Sequence, residues 1–107
     1  MRSQNPPAMY RQQIYLAESS LGYHKIGISK HADKRIQQLS IPGVLDLTLL
    51  HTVPAMFARK TEMLVHDALQ DYRVNSEWFR LPDEVIQALC EAEGEHDLLN
   101  LCGMFNP

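Results

Sequence analysis

Tyr15 and Lys25 bring a phenol and an ammonium onto two short stretches that read as neighbouring strands. A cation beside a phenol favours the phenolate and lowers a pKa that is ordinarily about 10, which makes Tyr15 a candidate general base. The same two residues also suit an ordinary cross-strand pair on the outward face of a sheet. Glu62 and His66, four apart, offer either two metal ligands or a simple i,i+4 contact on a helix. Arg35 falls at the edge of a short buried stripe, where an arginine can also snorkel for structural reasons. Cys90 and Cys102 lack metal-ligand spacing and a plausible histidine partner, and read as small core residues.

The elements that must position these groups follow from hydrophobic periodicity. Ile14, Leu16, Ile26 and Ile28 alternate with Tyr15, Ala17, Tyr23, Lys25 and Gly27, the period-two pattern of two strands with one apolar face each. With Ser19 to Leu21 as a three-residue loop, Tyr15 lies opposite Lys25 at a Cβ separation of roughly 5 Å, and Ile14 lies opposite Ile26. Asp33 to Leu39 form a short helix ended by Pro42-Gly43, with Ile36 and Leu39 inward. Residues 44 to 53 read as a third strand. Pro54 opens the longest helical pattern, Ala55 to Tyr72, whose apolar arc includes Phe57, Ala58, Leu64, Val65 and Leu69. Glu62 and His66 fall just beyond that arc, so Glu62 is placed to lean over the sheet. Asn75 belongs to the loop that follows, Trp78 and Phe79 close the core, and a further helix runs from Leu81-Pro82-Asp83 to Glu93.

At 107 residues the chain is one domain. Its apolar content is that of an ordinary globular protein, and no apolar run approaches the roughly 18 residues a membrane span needs. Residues 1–11, with Pro6-Pro7, read as an arm without chemistry, and the absence of an apolar run after Arg2 points to a cytoplasmic location. The net charge of −3 is unlike the basic surplus of a dedicated nucleic-acid binder. Nucleic-acid affinity would have to come from a local patch, with Arg11, Lys25, Lys30, Lys34 and Arg35 as its candidates. Glu84, Glu91, Glu93, Glu95 and Asp97 load the C-terminal third with negative charge.

Taken in order, Tyr15 in Gln13-Ile14-Tyr15, Lys25 in Lys25-Ile26-Gly27, Arg35, Glu62 and Asn75 resemble the signature of the GIY-YIG nuclease superfamily. Lysine at the head of the second motif and Glu77-Trp78-Phe79 near the end resemble its phage-associated branch. The resemblance implies an α/β (α+β) domain over residues 12–93, a small three-stranded antiparallel sheet flanked by helices, with residues 94–107 as a C-terminal tail or short helix. It implies a metal-dependent endonuclease acting on DNA with Mg²⁺ or Mn²⁺. Glu62 would be the metal's protein ligand, Tyr15 the general base, and Lys25 the group that holds its phenolate or polarises the water. Arg35 would neutralise the scissile phosphate, and Asn75 would position Glu62 or the neighbouring strand. Lys25, Lys30, Lys34 and Arg35 would contact nucleic acid. A protein partner or a homo-oligomer would supply targeting. The alternative is a nucleic-acid or protein binding module that has lost cleavage.

Overall fold

In a computed structural model, which describes residues 12–105, the hairpin is the centre of a five-stranded antiparallel sheet. The N-terminal arm expected over residues 1–11 lies outside the described residues. β1 (Gln12–Ser19) pairs with β2 (His24–Ser29) on one side and with β3 (Leu47–Ala55) on the other. Beyond β2 the sheet continues through two very short strands, β4 (Arg73–Asn75) and β5 (Trp78–Phe79), giving the order β3-β1-β2-β5-β4. The helices are α1 (Ala32–Leu39), α2 (Ala58–Ala68), α3 (Asp83–Cys90) and α4 (Glu95–Phe105).

The expected three-stranded sheet is therefore corrected to five strands, and the physical reason lies in the length of the added pair. Two and three residues are too few to show a period, and Arg73, Val74 and Asn75 are all exposed, so no apolar alternation marks them. Tertiary contact holds them instead: Lys25 pairs with Trp78 and His24 with Phe79 along the free edge of β2. Ser76 closes the β4–β5 turn at a positive φ of 49°.

The hairpin register also differs from expectation. Tyr15 lies opposite Gly27, Leu16 opposite Ile26, and Ala17 opposite Lys25. The loop does have three residues, but they are Ser20 to Gly22, because the residue that takes the left-handed conformation must come last and Gly22 does so at φ 88°. The two-residue shift preserves which side chains share a face, so Tyr15 and Lys25 remain on one side as diagonal neighbours. Pro54 does not open a helix; it sits in β3 opposite Gln13, and an edge strand tolerates its missing N–H.

The two faces are covered unequally. Ile14, Leu16, Ile26, Val53 and Phe79 form the main core with Val65 and Leu69 of the α2 segment and with α3 and α4. Cys90 and Cys102 pack half-buried against this core, and burial raises both thiols above their ordinary range. On the opposite face Tyr15 and Ala17 meet Ala32 and Ile36 of α1 in a smaller cluster edged by Leu47 and Leu49. Trp78 shares this second face with Lys25 and does not join Phe79 in the core. The arc expected for α2 is also narrower than drawn. Phe57 and Leu64 are exposed, while Thr61 and His66 are buried.

Candidate functional site

β2 loses its partner strand after Lys25, and that gap brings a helix to the polar cluster. Ile26 still receives a backbone bond, its N–H donating to the Glu77 carbonyl, but its own carbonyl faces α2, where His66 donates Nε2–H to it at 2.8 Å. The imidazole, edge-on to Phe79 with ring centroids 5.1 Å apart, stands in for the missing strand. Glu62 lies one turn earlier and is thereby carried to the edge of the sheet, with its Oε2 4.0 Å from the same nitrogen. That nitrogen is committed to a backbone acceptor, so Glu62 and His66 meet there as an i,i+4 contact.

Tyr15 reaches the same margin from inside the sheet. Its ring lies across the strand opposite, and a Cβ built on Gly27 would come within 2.6 Å of the phenolic oxygen and 2.7 Å of Cζ. Glycine at position 27 is what allows the ring to lie flat there. The residue is only 2% exposed. Burial is the largest influence on its phenol and raises the pKa above 10; the negative charge of Glu77 raises it further, while the Arg35 guanidinium opposes both. Glu62 adds a smaller upward push. The expected lowering by Lys25 is absent from this balance. Lys25 is instead turned to Glu77, its Nζ donating to Oε1 at 2.5 Å, with the ammonium 5.4 Å from the centre of the Trp78 ring.

Glu62, its side chain 14% exposed, is likewise shifted upward. Burial is the main cause and Glu77 adds to it, with His66, Arg59 and Lys25 pulling the other way. Four of the five expected site residues thus come from β1, β2, α1 and α2 to one margin, where Arg35 and Glu62 act on the Tyr15 phenol and Lys25 acts on Glu62. Asn75 is not one of the charges or hydrogen-bonding groups acting on Tyr15 or Glu62; it lies exposed on β4 in register with Trp78. Lys30 and Lys34 are exposed beside Arg35 at the start of α1, whereas Lys25 is buried and paired.

Glu77 was missed as a site residue, although it bears on Tyr15, Lys25 and Glu62 alike. A carboxylate directly before Trp-Phe was visible in the sequence, but its partner Lys25 lies 52 positions away and no local pattern joins them.

No cluster of three or more His, Cys, Asp or Glu that could enclose a metal occurs among the described residues. The donor set fits a different arrangement. A hard cation such as Mg²⁺ is commonly held by one or two carboxylates and completes its shell with water and substrate phosphate. Glu62, part-buried and under repulsion from Glu77, is a carboxylate that such a cation would relieve.

No helix among the described residues is long and apolar enough to cross a membrane. No curated protein and no solved structure gives a significant match to the chain. A family match does exist, to the T5orf172 domain over residues 12–92, and it overturns the GIY-YIG assignment. Five single residues scattered over some sixty positions constrain a family weakly, and two of its hallmark positions hold Gln13 and Lys25 in place of glycine and tyrosine. By the match, which spans most of its length, the chain belongs to the T5orf172 domain family.

Proposed function

We propose that the chain is a DNA-acting phosphodiester hydrolase whose reactive groups are Tyr15, Arg35 and Glu62. The observation that carries this reading is the convergence of those side chains, from three separate elements, on one margin of the sheet. Membership of a phage-associated family supports a DNA-related role. Arg35, exposed beside the buried phenol, supplies a fork of donors that suits a phosphate, and would neutralise charge growing on it. Tyr15, held flat over Gly27, presents a hydroxyl at a fixed point beside that phosphate. Lys25 and Glu77 act as a pair: the lysine neutralises a carboxylate that would otherwise repel the backbone of the substrate. Glu62 would hold Mg²⁺ or Mn²⁺, which when bound stabilises the leaving oxygen.

The proton inventory refines the role of Tyr15. A general base must be deprotonated when water attacks, and burial with Glu77 keeps this phenol protonated well above neutral pH. Arg35 alone lowers it, and a cation at Glu62 would remove only the smallest upward influence while burial, the largest, remains. In this reading the phenol keeps its proton and donates a hydrogen bond to the phosphate oxygen beside it.

The raised phenol and the engaged Lys25 also favour a second reading, a DNA-binding domain without cleavage. Incubating supercoiled plasmid with purified protein and Mg²⁺ or Mn²⁺, beside Glu62→Gln purified identically, separates the two. Nicking by the wild type alone is the expected result. DNA binding by both proteins with nicking by neither would establish the binding domain, and equal nicking by both would remove Glu62 from the reaction.

A further inference from the structure

α1 packs mainly on the β3–β1 side of its face, and the side toward β5 and β4 carries a cleft. It has a volume of about 310 Å³, at the lower end of the roughly 300 to 1,000 Å³ of small-ligand pockets, and lies between the hairpin tip and the β4–β5 pair. Its walls include Leu21, Tyr23, Val74, Asn75 and Trp78. Leu21 and Val74 are 65% and 54% exposed, and the indole is only half-buried, so the main core does not account for the apolar surface gathered here. A cavity inside the main core, about 20 Å³ and lined almost wholly by apolar side chains, has room for at most one water.

We propose that this cleft seats an unstacked base of a single-stranded nucleic acid, whose backbone passes the Lys25 side of Trp78 toward Arg35 and Tyr15. The proposal rests on the reading that the neighbouring cluster handles phosphates, and it names the form of nucleic acid that reaches it. Three features point to a base. An indole offers a flat surface on which any base can stack. The Asn75 amide carries both a donor and acceptors, which suits the edge of a base exposed by unpairing. A cation flanks the cleft at Tyr23, where the Arg80 guanidinium carbon lies 4.5 Å from the ring centre, and on the Trp78 side Lys25, 5.4 Å from the indole centre, neutralises Glu77 so that no bare carboxylate faces a passing backbone. The register gives the connection. Trp78 is the direct partner of Lys25, and Lys25 is the diagonal neighbour of Tyr15 on the same face, so cleft and cluster lie one strand apart. A base inside a duplex is stacked on both sides and cannot enter; a single strand or a frayed end can.

Trp78 is the only tryptophan of the chain, so its emission reports this cleft alone. Titrating the full chain with a short oligothymidylate should quench that emission saturably, while a blunt duplex at the same nucleotide concentration should not. Asn75→Ala and Leu21→Glu, both at exposed positions that the fold does not need, should weaken oligothymidylate binding, read by anisotropy of a labelled strand. Trp78→Leu should weaken it most, roughly 5- to 150-fold, the range expected for losing one base–aromatic stack. Tyr15→Phe should keep the quenching even where it abolishes nicking, so the cleft and the hydrolase reading can fail separately. Binding of the oligonucleotide without a change in Trp78 emission, together with unchanged affinity in Asn75→Ala and Leu21→Glu, would overturn the proposal. So would quenching by the duplex equal to that by the single strand.

Discussion

The two faces of this sheet are built to different rules. On the face covered by α2, α3 and α4, apolar side chains interlock, and the polar ones that go under are each given a partner: His66 to the Ile26 carbonyl, His51 to the Ala92 carbonyl, His24 to Glu18. On the face half covered by α1, and at the margin where α2 reaches it, a buried phenol lies among charges of both signs, two carboxylates repel each other, and part of the sheet stays open. The first arrangement fixes a shape. The second leaves unrelieved electrostatic stress at a solvent margin, which is where a ligand that relieves it would bind. Stability and chemistry should therefore separate by face.

The sharpest test sets one ring from each face against the other. Phe79→Ala empties the centre of the covered face, where Phe79 is fully buried, and should cost about 3 to 5 kcal/mol, seen as a large fall in Tm. Tyr15→Phe removes one oxygen from the other face, and should leave the melting curve nearly in place while reducing nicking by roughly 100-fold or more. Similar melting losses for both, with no separate effect of Tyr15→Phe on cleavage, would mean that the second face is simply more core.

Gly27→Ala probes the point where the faces share one strand. The added methyl would meet the Tyr15 ring at 2.6 to 2.7 Å, so the ring must leave its seat. A loss of about 1 to 3 kcal/mol is expected from overpacking, with nicking falling further than the change in folded fraction explains. Unchanged cleavage at full folding would show that the ring's flat pose is not needed.

A smaller effect, confined to the covered side, is expected at Glu95. Its carboxylate accepts from the backbone N–H of Met56 at 2.7 Å and of Phe57 at 3.0 Å, and from the Thr61 hydroxyl at 2.7 Å, so the first residue of α4 caps the start of α2. Position 95 lies beyond the family match, which ends at residue 92. Glu95→Ala should lower stability by about 1 to 2 kcal/mol, measured by urea unfolding, while nicking per folded molecule stays the same. Lost cleavage at retained stability would tie α4 to the site through α2.

How much of this was legible in the sequence follows the distance over which each feature is encoded. Period-two alternation at Ile14 to Ala17 and Tyr23 to Ile28 reveals β1 and β2, and assigns Tyr15 and Lys25 to one face, because a face depends only on parity. The register is set by Gly22 as the last loop residue, and among the loop residues only a glycine takes that left-handed conformation without strain. The end of α2 was drawn too late because Leu69 and Tyr72 keep the apolar rhythm through the 3-10 turn at Gln70–Tyr72. β4 and β5 had no local signal at all, and with them went the partner of Lys25 and the true position of Trp78. A cross-strand lysine was expected to lower the Tyr15 pKa, but the outcome depended on Glu77 and on burial, both set by that unseen pair.

The smallest expected effect concerns pH and distinguishes a stressed carboxylate from a satisfied one. Glu62 has a folded-state pKa raised above the ordinary 4.5, chiefly by burial and then, against the pull of His66, by Glu77. A raised carboxylate favours its protonated form in the fold, so its contribution to stability is complete below 4.5 and is lost as pH rises through the folded value. Glu62→Gln cannot ionise and escapes that loss. Its Tm should therefore exceed that of the wild type near pH 7, and the two should converge below about pH 4. The opposite order at pH 7, a wild type more stable than Glu62→Gln, would mark Glu62 as a stabilising ion-pair partner of His66. There would then be no stress at this residue, and the margin between the faces would lose the carboxylate whose discomfort makes room for a cation.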